Sequence, residues 1–264
     1  MNPVPVLMYH HINPRKGDML TVTPEVFEGQ MAYLAKAGYR ALSLDQLFAF
    51  INGTLHVKQK AVVITFDDGW IDNFIYAFPI LNRYHLHATV FLITDWTIKS
   101  SAKWEGIPSS IPSHEQSKTL VQTGQEHRVV LPWEHVRNMA DSCLIDFYSH
   151  TKSHLSCDEL SDTQLLEELG ESKKVIEGRL ARPCPYLCWP YGLYSERTVS
   201  IAKETGYKAL FTINRGVAKA GSDCTAIKRI LIRDDVSWFK KRMQICTNPV
   251  LSYWYLAMNS HGCK

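Results

Sequence analysis

The chain has 264 residues, 45% of them hydrophobic, and 29 basic side chains against 26 acidic ones give a formal net charge of +3. This is enough apolar sequence for one large core. A balance so near neutral, without a long run of Lys or Arg, argues against nucleic acid as a partner. The opening MNPVPVLMYHHI has no basic segment leading into a long apolar one, so it does not read as a signal peptide, and no later run reaches the length of a membrane span. Seven cysteines occur without a CxxC spacing. The expectation is reduced thiols in the cytoplasm, acting as buried small residues rather than metal ligands. A leader missing from this sequence would move the expected location to the periplasm or the outside.

Taken in order, the first strand is expected at 4–9, ending in His10 and His11. In TPEVFEGQMAYLAKAG, Phe27, Met31, Leu34 and Ala35 share a helical face; Thr23 is placed to cap the helix, Pro24 occupies its first turn and Gly38 stops it. A second strand, 61–66, runs into Asp67, Asp68, Gly69 and Trp70. The third is expected at 88–94, with His85 and His87 before it as structural residues at the opposite end. Segment 95–130 is polar, carries Trp104, Pro108 and Pro112, and reads as a long loop hanging near the working face. The fourth strand, 144–149, leads into His150 and His154. Ser161 caps a helix whose stripe is Leu165, Leu169, Val175, Ile176 and Leu180. A fifth strand at 186–189 precedes Pro190, Tyr191 and Gly192; SERTVSIAKETG is a further helix, ended by Gly206. Strands at 209–213 and 227–232 follow, and an aromatic tail, about 246–264, is free to dock on the barrel, on another chain or on a membrane.

Seven strands alternating with helices read as one domain over 1–264, a parallel sheet closed into a barrel with helices outside. In such barrels chemistry gathers where strands end and loops begin. Asp67 and Asp68 close one strand there, and His150 and His154 follow another. Asp-Asp-Gly alone is turn chemistry, and two histidines four apart are mostly coincidence. Together, at neighbouring strand ends, one carboxylate and two imidazoles form a donor set for a divalent metal, zinc first, with cobalt, nickel and iron fitting the same ligands. The second aspartate then stands beside the metal as a base, and adjacent residues at a strand end point different ways.

TFDDG at 65–69, SHTKSH at 149–154 and WPYG at 189–192 resemble the three leading motifs of the polysaccharide deacetylases, the NodB-homology or carbohydrate esterase family 4 enzymes. PVLMYHHI and the helix after it are similar to the branch acting on poly-β-1,6-N-acetylglucosamine. The resemblance spans about residues 4–235 and implies a distorted (β/α)7 barrel that removes N-acetyl groups from an N-acetylated glycan with a divalent metal. It implies Asp67 as general base, Asp68, His150 and His154 as metal ligands, the Tyr191 backbone N–H as oxyanion donor, and His10 as general acid. No late Leu-x-His motif is present, in keeping with an acid at His10; alternation lets only one of His10 and His11 face inward. Where the wider family has an arginine holding the base, this chain has Cys188. Arg229, on the last strand, is placed to take over. Tyr148 replaces a frequent glycine and is expected to narrow the pocket. Trp189 either stacks on a sugar or fills the core, Tyr191 is favoured for substrate, and Trp70 lines the groove or packs beneath it. The alternatives are another metal-dependent amide or ester hydrolase on small molecules, and an inactive carbohydrate-binding relative.

Overall fold

All six residues of Ala61–Phe66 are buried, which a strand achieves only with both faces covered. The structure is a computed structural model describing residues 2–259. Its strands are β1 (Val6–Tyr9), β2 (His11–Ile12), β3 (Thr21–Val22), β4 (Arg40–Ala41), β5 (Ala61–Phe66), β6 (Ala88–Leu92), β7 (Ile145–Ser149), β8 (Tyr186–Cys188), β9 (Ala209–Arg215) and β10 (Ile227–Leu231). Seven of them, β1 and β5 to β10, pair in parallel around a closed ring; β1 closes it, with Leu7 opposite Ile230 on β10 and Val6 opposite Val63 on β5. This is the (β/α)7 barrel anticipated. β4 pairs with the first residues of β5, and β2 with β3 forms a separate small ladder. Because the ring is parallel, every carboxyl end emerges on one face.

The helices are α1 (Pro24–Lys36), α2 (Leu44–Ile51), α3 (Phe78–Arg83), α4 (Thr94–Ala102), α5 (His114–Gln122), α6 (Trp133–Asp141), α7 (Asp162–Leu180), α8 (Glu196–Glu204), α9 (Val236–Cys246) and α10 (Pro249–Asn259). α1 buries Phe27, Met31 and Leu34 as expected, with Gln30 in place of the exposed Ala35. Thr23 precedes α1 without capping it: its hydroxyl donates to Asp234 Oδ1 at 2.7 Å. Ser161 caps α7 in a reciprocal box with Gln164.

Segment 95–130 is not one long loop. It holds most of α4, all of α5 and a 3-10 turn at Glu126–Arg128. These helices lack an apolar stripe because they bury hydroxyls instead: Thr97 and Ser100 on α4, Ser117 on α5, with Ser100 Oγ donating to Val130 O at 2.8 Å. The tail forms α10, where Val250, Leu251, Tyr253 and Trp254 are exposed, and residues 260–264 lie outside the described region. No described helix is long and apolar enough to cross a membrane. Cys157, Cys184, Cys188 and Cys246 are buried as expected, but Cys143 is exposed and Cys224 half-buried; Cys263 lies outside the described residues.

Candidate active site

At the end of β5 the backbone N–H of Asp67 still joins the ladder, bonding Tyr9 O at 3.0 Å. The next two residues, Asp68 and Gly69, have φ of 72° and 77°. This left-handed pair turns the chain sharply, so the two carboxylates part. At Gly69 a Cβ would also stand 2.7 Å from Leu92 Cδ2, so any other residue there would be strained and would have to push the buried leucine aside.

Asp67 turns into the barrel lumen and meets Arg229 from β10. The guanidinium grips both oxygens, Nη1 to Oδ1 and Nη2 to Oδ2, each at 2.7 Å. Its other N–H groups reach Thr212 O at 2.9 Å, Thr65 Oγ1 at 3.1 Å and Cys188 Sγ at 3.0 Å. All five donors of a fully buried arginine are thus satisfied. Burial would raise the Asp67 pKa, but the charge and hydrogen bonds of Arg229 hold it below the usual carboxylate value. The place where the wider family carries an arginine is filled by a thiol, and the guanidinium arrives from β10 instead. Burial pushes the Cys188 thiol up, keeping it protonated.

Asp68 faces the other way. Its Oδ1 lies 3.3 Å from His150 Nε2 and 3.6 Å from His154 Nε2, and its Oδ2 accepts from Trp70 Nε1 at 3.0 Å. His150 Nδ1 donates to Cys188 O at 2.7 Å, which aims Nε2 at the cluster. After His150 the chain makes a non-helical turn, in which Thr151 and His154 have φ of 67° and 63°. Ser153 bonds Glu168 on α7 through its N–H at 2.9 Å and its hydroxyl at 2.6 Å, pinning the turn. The three ligand atoms lie within 4.8 Å of one another. Donors about 2.0–2.1 Å from a tetrahedral ion stand about 3.4 Å apart, so the Asp68–imidazole spacings fit a small divalent cation. Burial opposes the charge on Asp68, yet the histidines hold its carboxyl far below the usual range. Burial, aided by His150, lowers His154 to about 4. His150 moves the other way: against burial, the hydrogen bond with Asp68 and the charge of Asp67 lift it above the ordinary imidazole value. A proton on its Nε2 occupies the direction a cation would take. Asp67, His150 and Cys188 form a second close set, but there Asp67 is committed to Arg229 and His150 Nδ1 to a carbonyl, so it suits a cation poorly.

His10 Nε2 stands 3.7 Å from Asp67 Oδ2, and burial depresses its pKa against the pull of Asp67 and Asp68. His11 points the other way, with Nδ1 2.6 Å from Asp72 Oδ2 and its ring stacked on Trp70 at 4.5 Å. Tyr191, with φ of 57°, is 58% exposed and sets its ring edge-on to His154 at 4.6 Å. The structure decides two readings left open by the sequence and overturns one expectation. Trp189 has no exposure and packs parallel to Tyr194, because strand alternation sends Cys188 inward and Trp189 outward. Trp70 is buried beneath the site, where it steadies Asp68 rather than lining a groove. Tyr148 sits edge-on to Tyr186 at 4.8 Å, one inward position below His150 on β7, and does not narrow the mouth. Trp96 on α4 was missed. Its ring lies 5.8 Å from His154 and 5.6 Å from Trp70, and its sequence neighbourhood, read as loop, offered no signal.

Residues 55–210 match the polysaccharide deacetylase family model. The chain belongs to the polysaccharide deacetylase family. It is 29% identical over 234 residues to the YxkH protein of Bacillus subtilis (strain 168), itself assigned to the polysaccharide deacetylases, covering 89% of this chain and 73% of that one. It is 25% identical over 270 residues to the poly-beta-1,6-N-acetyl-D-glucosamine N-deacetylase of Escherichia coli (strain K12), covering 91% of this chain but only 38% of that protein. Among solved structures, the Streptococcus pyogenes deacetylase PplD in complex with acetate superposes with a TM-score of 0.76 at 27% identity, over 94% of this chain and 99% of that one. This deacetylase barrel therefore spans well under half of the E. coli relative.

Proposed function

We propose that this deacetylase hydrolyses N-acetyl groups on an N-acetylated glycan, releasing acetate and leaving a free amine on the sugar. The observation that carries the reading is the division of labour at the strand ends: Asp67 is ionised, clamped by Arg229 and faced by His10, while Asp68 groups with His150 and His154. A divalent cation, zinc by donor type, held by Asp68, His150 and His154 supplies Lewis acidity to the amide carbonyl and to water.

The rest falls to the chain's own groups. Asp67 accepts a proton from the attacking water. Arg229 keeps that carboxylate ionised and fixes its orientation. The backbone N–H of Tyr191 donates to the oxygen that gains charge as the carbonyl becomes tetrahedral. An amide nitrogen leaves only when protonated, and His10 delivers that proton as the C–N bond breaks. The exposed Tyr191 ring offers a flat apolar face to a sugar.

The test pairs metal analysis with acetate release from a panel of N-acetylated glycans and simple acetyl esters. Asp67→Asn should keep its metal and lose turnover, and His150→Ala should lose the metal. Near-normal turnover by Asp67→Asn would overturn the base assignment; esters hydrolysed in preference to every glycan would overturn the substrate class.

A further inference from the structure

We propose that a cleft between the loop carrying Arg15 and helix α5 binds a phosphoryl group borne by the glycan substrate. The substrate half of this statement rests on the function proposed above; the anion site itself does not. The cleft has a volume of about 440 Å³ and is lined by Arg15 and Arg128, with Ser110 adding a hydroxyl, Gln116 an amide and Leu120 an apolar wall; the Thr119 hydroxyl that also lines it donates to Glu115 O at 3.1 Å. No carboxylate lines it. Among the described residues neither guanidinium has an acidic partner. Arg15 gives one side-chain N–H to Ser110 Oγ at 2.7 Å, and Arg128 one to Gln125 Oε1 at 3.0 Å, out of five each.

The acids that could neutralise them are engaged elsewhere. Asp18, on the Arg15 loop, takes the ring of His114, the Leu20 N–H and the Thr21 hydroxyl. Glu126, two residues before Arg128, is buried and faces Lys99 at 3.5 Å. Two guanidinium forks lining one cleft, with the Ser110 hydroxyl and the Gln116 amide, offer more donors than a carboxylate's two oxygens accept and suit a phosphoryl group.

The cleft is tied to the catalytic centre. Asn13 Nδ2 donates to Pro112 O at 2.8 Å and to Asp72 Oδ2 at 3.2 Å. Asp72 holds His11, whose ring stacks on Trp70, and Trp70 bonds Asp68. The His114 ring, at the start of α5, lies 5.0 Å from that of His11. A substituent on the reacting sugar or its neighbour can therefore be read by the same face of the barrel. The phosphoryl group has two chemical sources: an ester on a decorated glycan, or the diphosphate linking a sugar to a carrier.

Calorimetric titration of the metal-loaded enzyme with pyrophosphate tests the site directly. Arg15→Ala and Arg128→Ala should each weaken the binding about tenfold, the scale of one charge-assisted hydrogen bond. Pyrophosphate held only at the metal would bind all three proteins equally, and that result overturns the proposal whether or not any glycan is turned over. In kinetics, each variant should raise KM about tenfold for phosphorylated N-acetylated substrates and leave KM and kcat for a neutral N-acetylglucosamine oligosaccharide unchanged. A phosphate-ester oligosaccharide and a nucleoside-diphosphate N-acetylglucosamine separate the two sources, according to which shows the effect. Equal KM for neutral and both phosphorylated substrates in the wild type also overturns the proposal.

Discussion

Replacing Arg229 by Met tests how the base is held. Methionine keeps the length and the apolar packing beneath Asp67 but removes all five hydrogen bonds, two of them 2.7 Å contacts to the carboxylate. Removing one partner of a buried ion pair costs about 3–5 kcal/mol. In a domain of this size that is on the order of 10 °C in melting temperature. The carboxylate can limit the loss by taking a proton. Burial is the largest influence on the Asp67 pKa and acts upward, and Arg229 is the first of the groups that reverse it, so its removal raises that pKa. A protonated Asp67 cannot accept a proton from water, and kcat should fall about 10²–10⁴-fold at pH 7. The sign is fixed: where Asp67 is already ionised the wild-type rate should not rise with pH, and should fall as His10 loses its proton, whereas the variant's rate relative to wild type should climb with pH across the neutral range. Arg229→Met with Asp67→Leu removes both charges and should recover most of the lost stability and none of the activity. Thermal melts and a pH–rate profile on the three proteins decide it. Wild-type kcat and melting temperature in Arg229→Met, or a double variant no more stable than the single, would refute the reasoning.

Trp70→Phe keeps the ring but deletes the 3.0 Å bond to Asp68 Oδ2; metal affinity, read by chelator competition, should drop about 10–100-fold. Trp189→Phe should lower the melting temperature and leave KM alone, because the indole is wholly buried, while Tyr191→Ala should do the reverse. His150 is lifted above its ordinary value, so a metal binding through its Nε2 must displace a proton. Affinity should therefore rise with pH until that pKa is passed, and calorimetry in buffers of different ionisation enthalpy should detect the released proton. Gly192→Ala combines a φ of +68° with a Cβ only 2.4 Å from Ile213 Cγ1; it should displace the Tyr191 turn, reducing kcat with metal content unchanged.

The barrel was legible because each ring strand is a short, β-rich, mostly buried run, and because caps such as Ser161 and stops such as Gly206 have local causes. The cluster was legible because its donors follow two strands whose carboxyl ends share a face. Arg229 was placed correctly by the same logic, from its position on the last strand alone. Trp189 and Trp70 stay between two readings in the sequence for opposite reasons. Alternation along β8 already forbids Trp189 from sharing an outlook with Cys188, which favours its place in the core. Trp70 follows two left-handed residues, and after such a reversal no period predicts where a side chain points. Helices α4 and α5 escaped because they bury serine and threonine, whose internal hydrogen bonds leave no apolar rhythm in the sequence.

Seven non-glycine residues have positive φ among those described, and they fall into two groups. His85, Cys143 and Ala181 follow the ends of α3, α6 and α7, the usual place for such a conformation. The other four, Asp68, Thr151, His154 and Tyr191, all sit just past the carboxyl ends of β5, β7 and β8. Each carries a steric penalty of about 1–2 kcal/mol, a sum comparable with a domain's net stability of about 5–15 kcal/mol. An extended strand sends consecutive side chains to opposite faces. Continued through residue 68, β5 would point Asp67 into the lumen and Asp68 out among the helices, away from both histidines. The left-handed step carries Asp68 over the rim instead, where Trp70 can fix it, and leaves Asp67 behind on Arg229. Two neighbouring carboxylates thereby serve separate partners, and the strain at these turns is what keeps them apart.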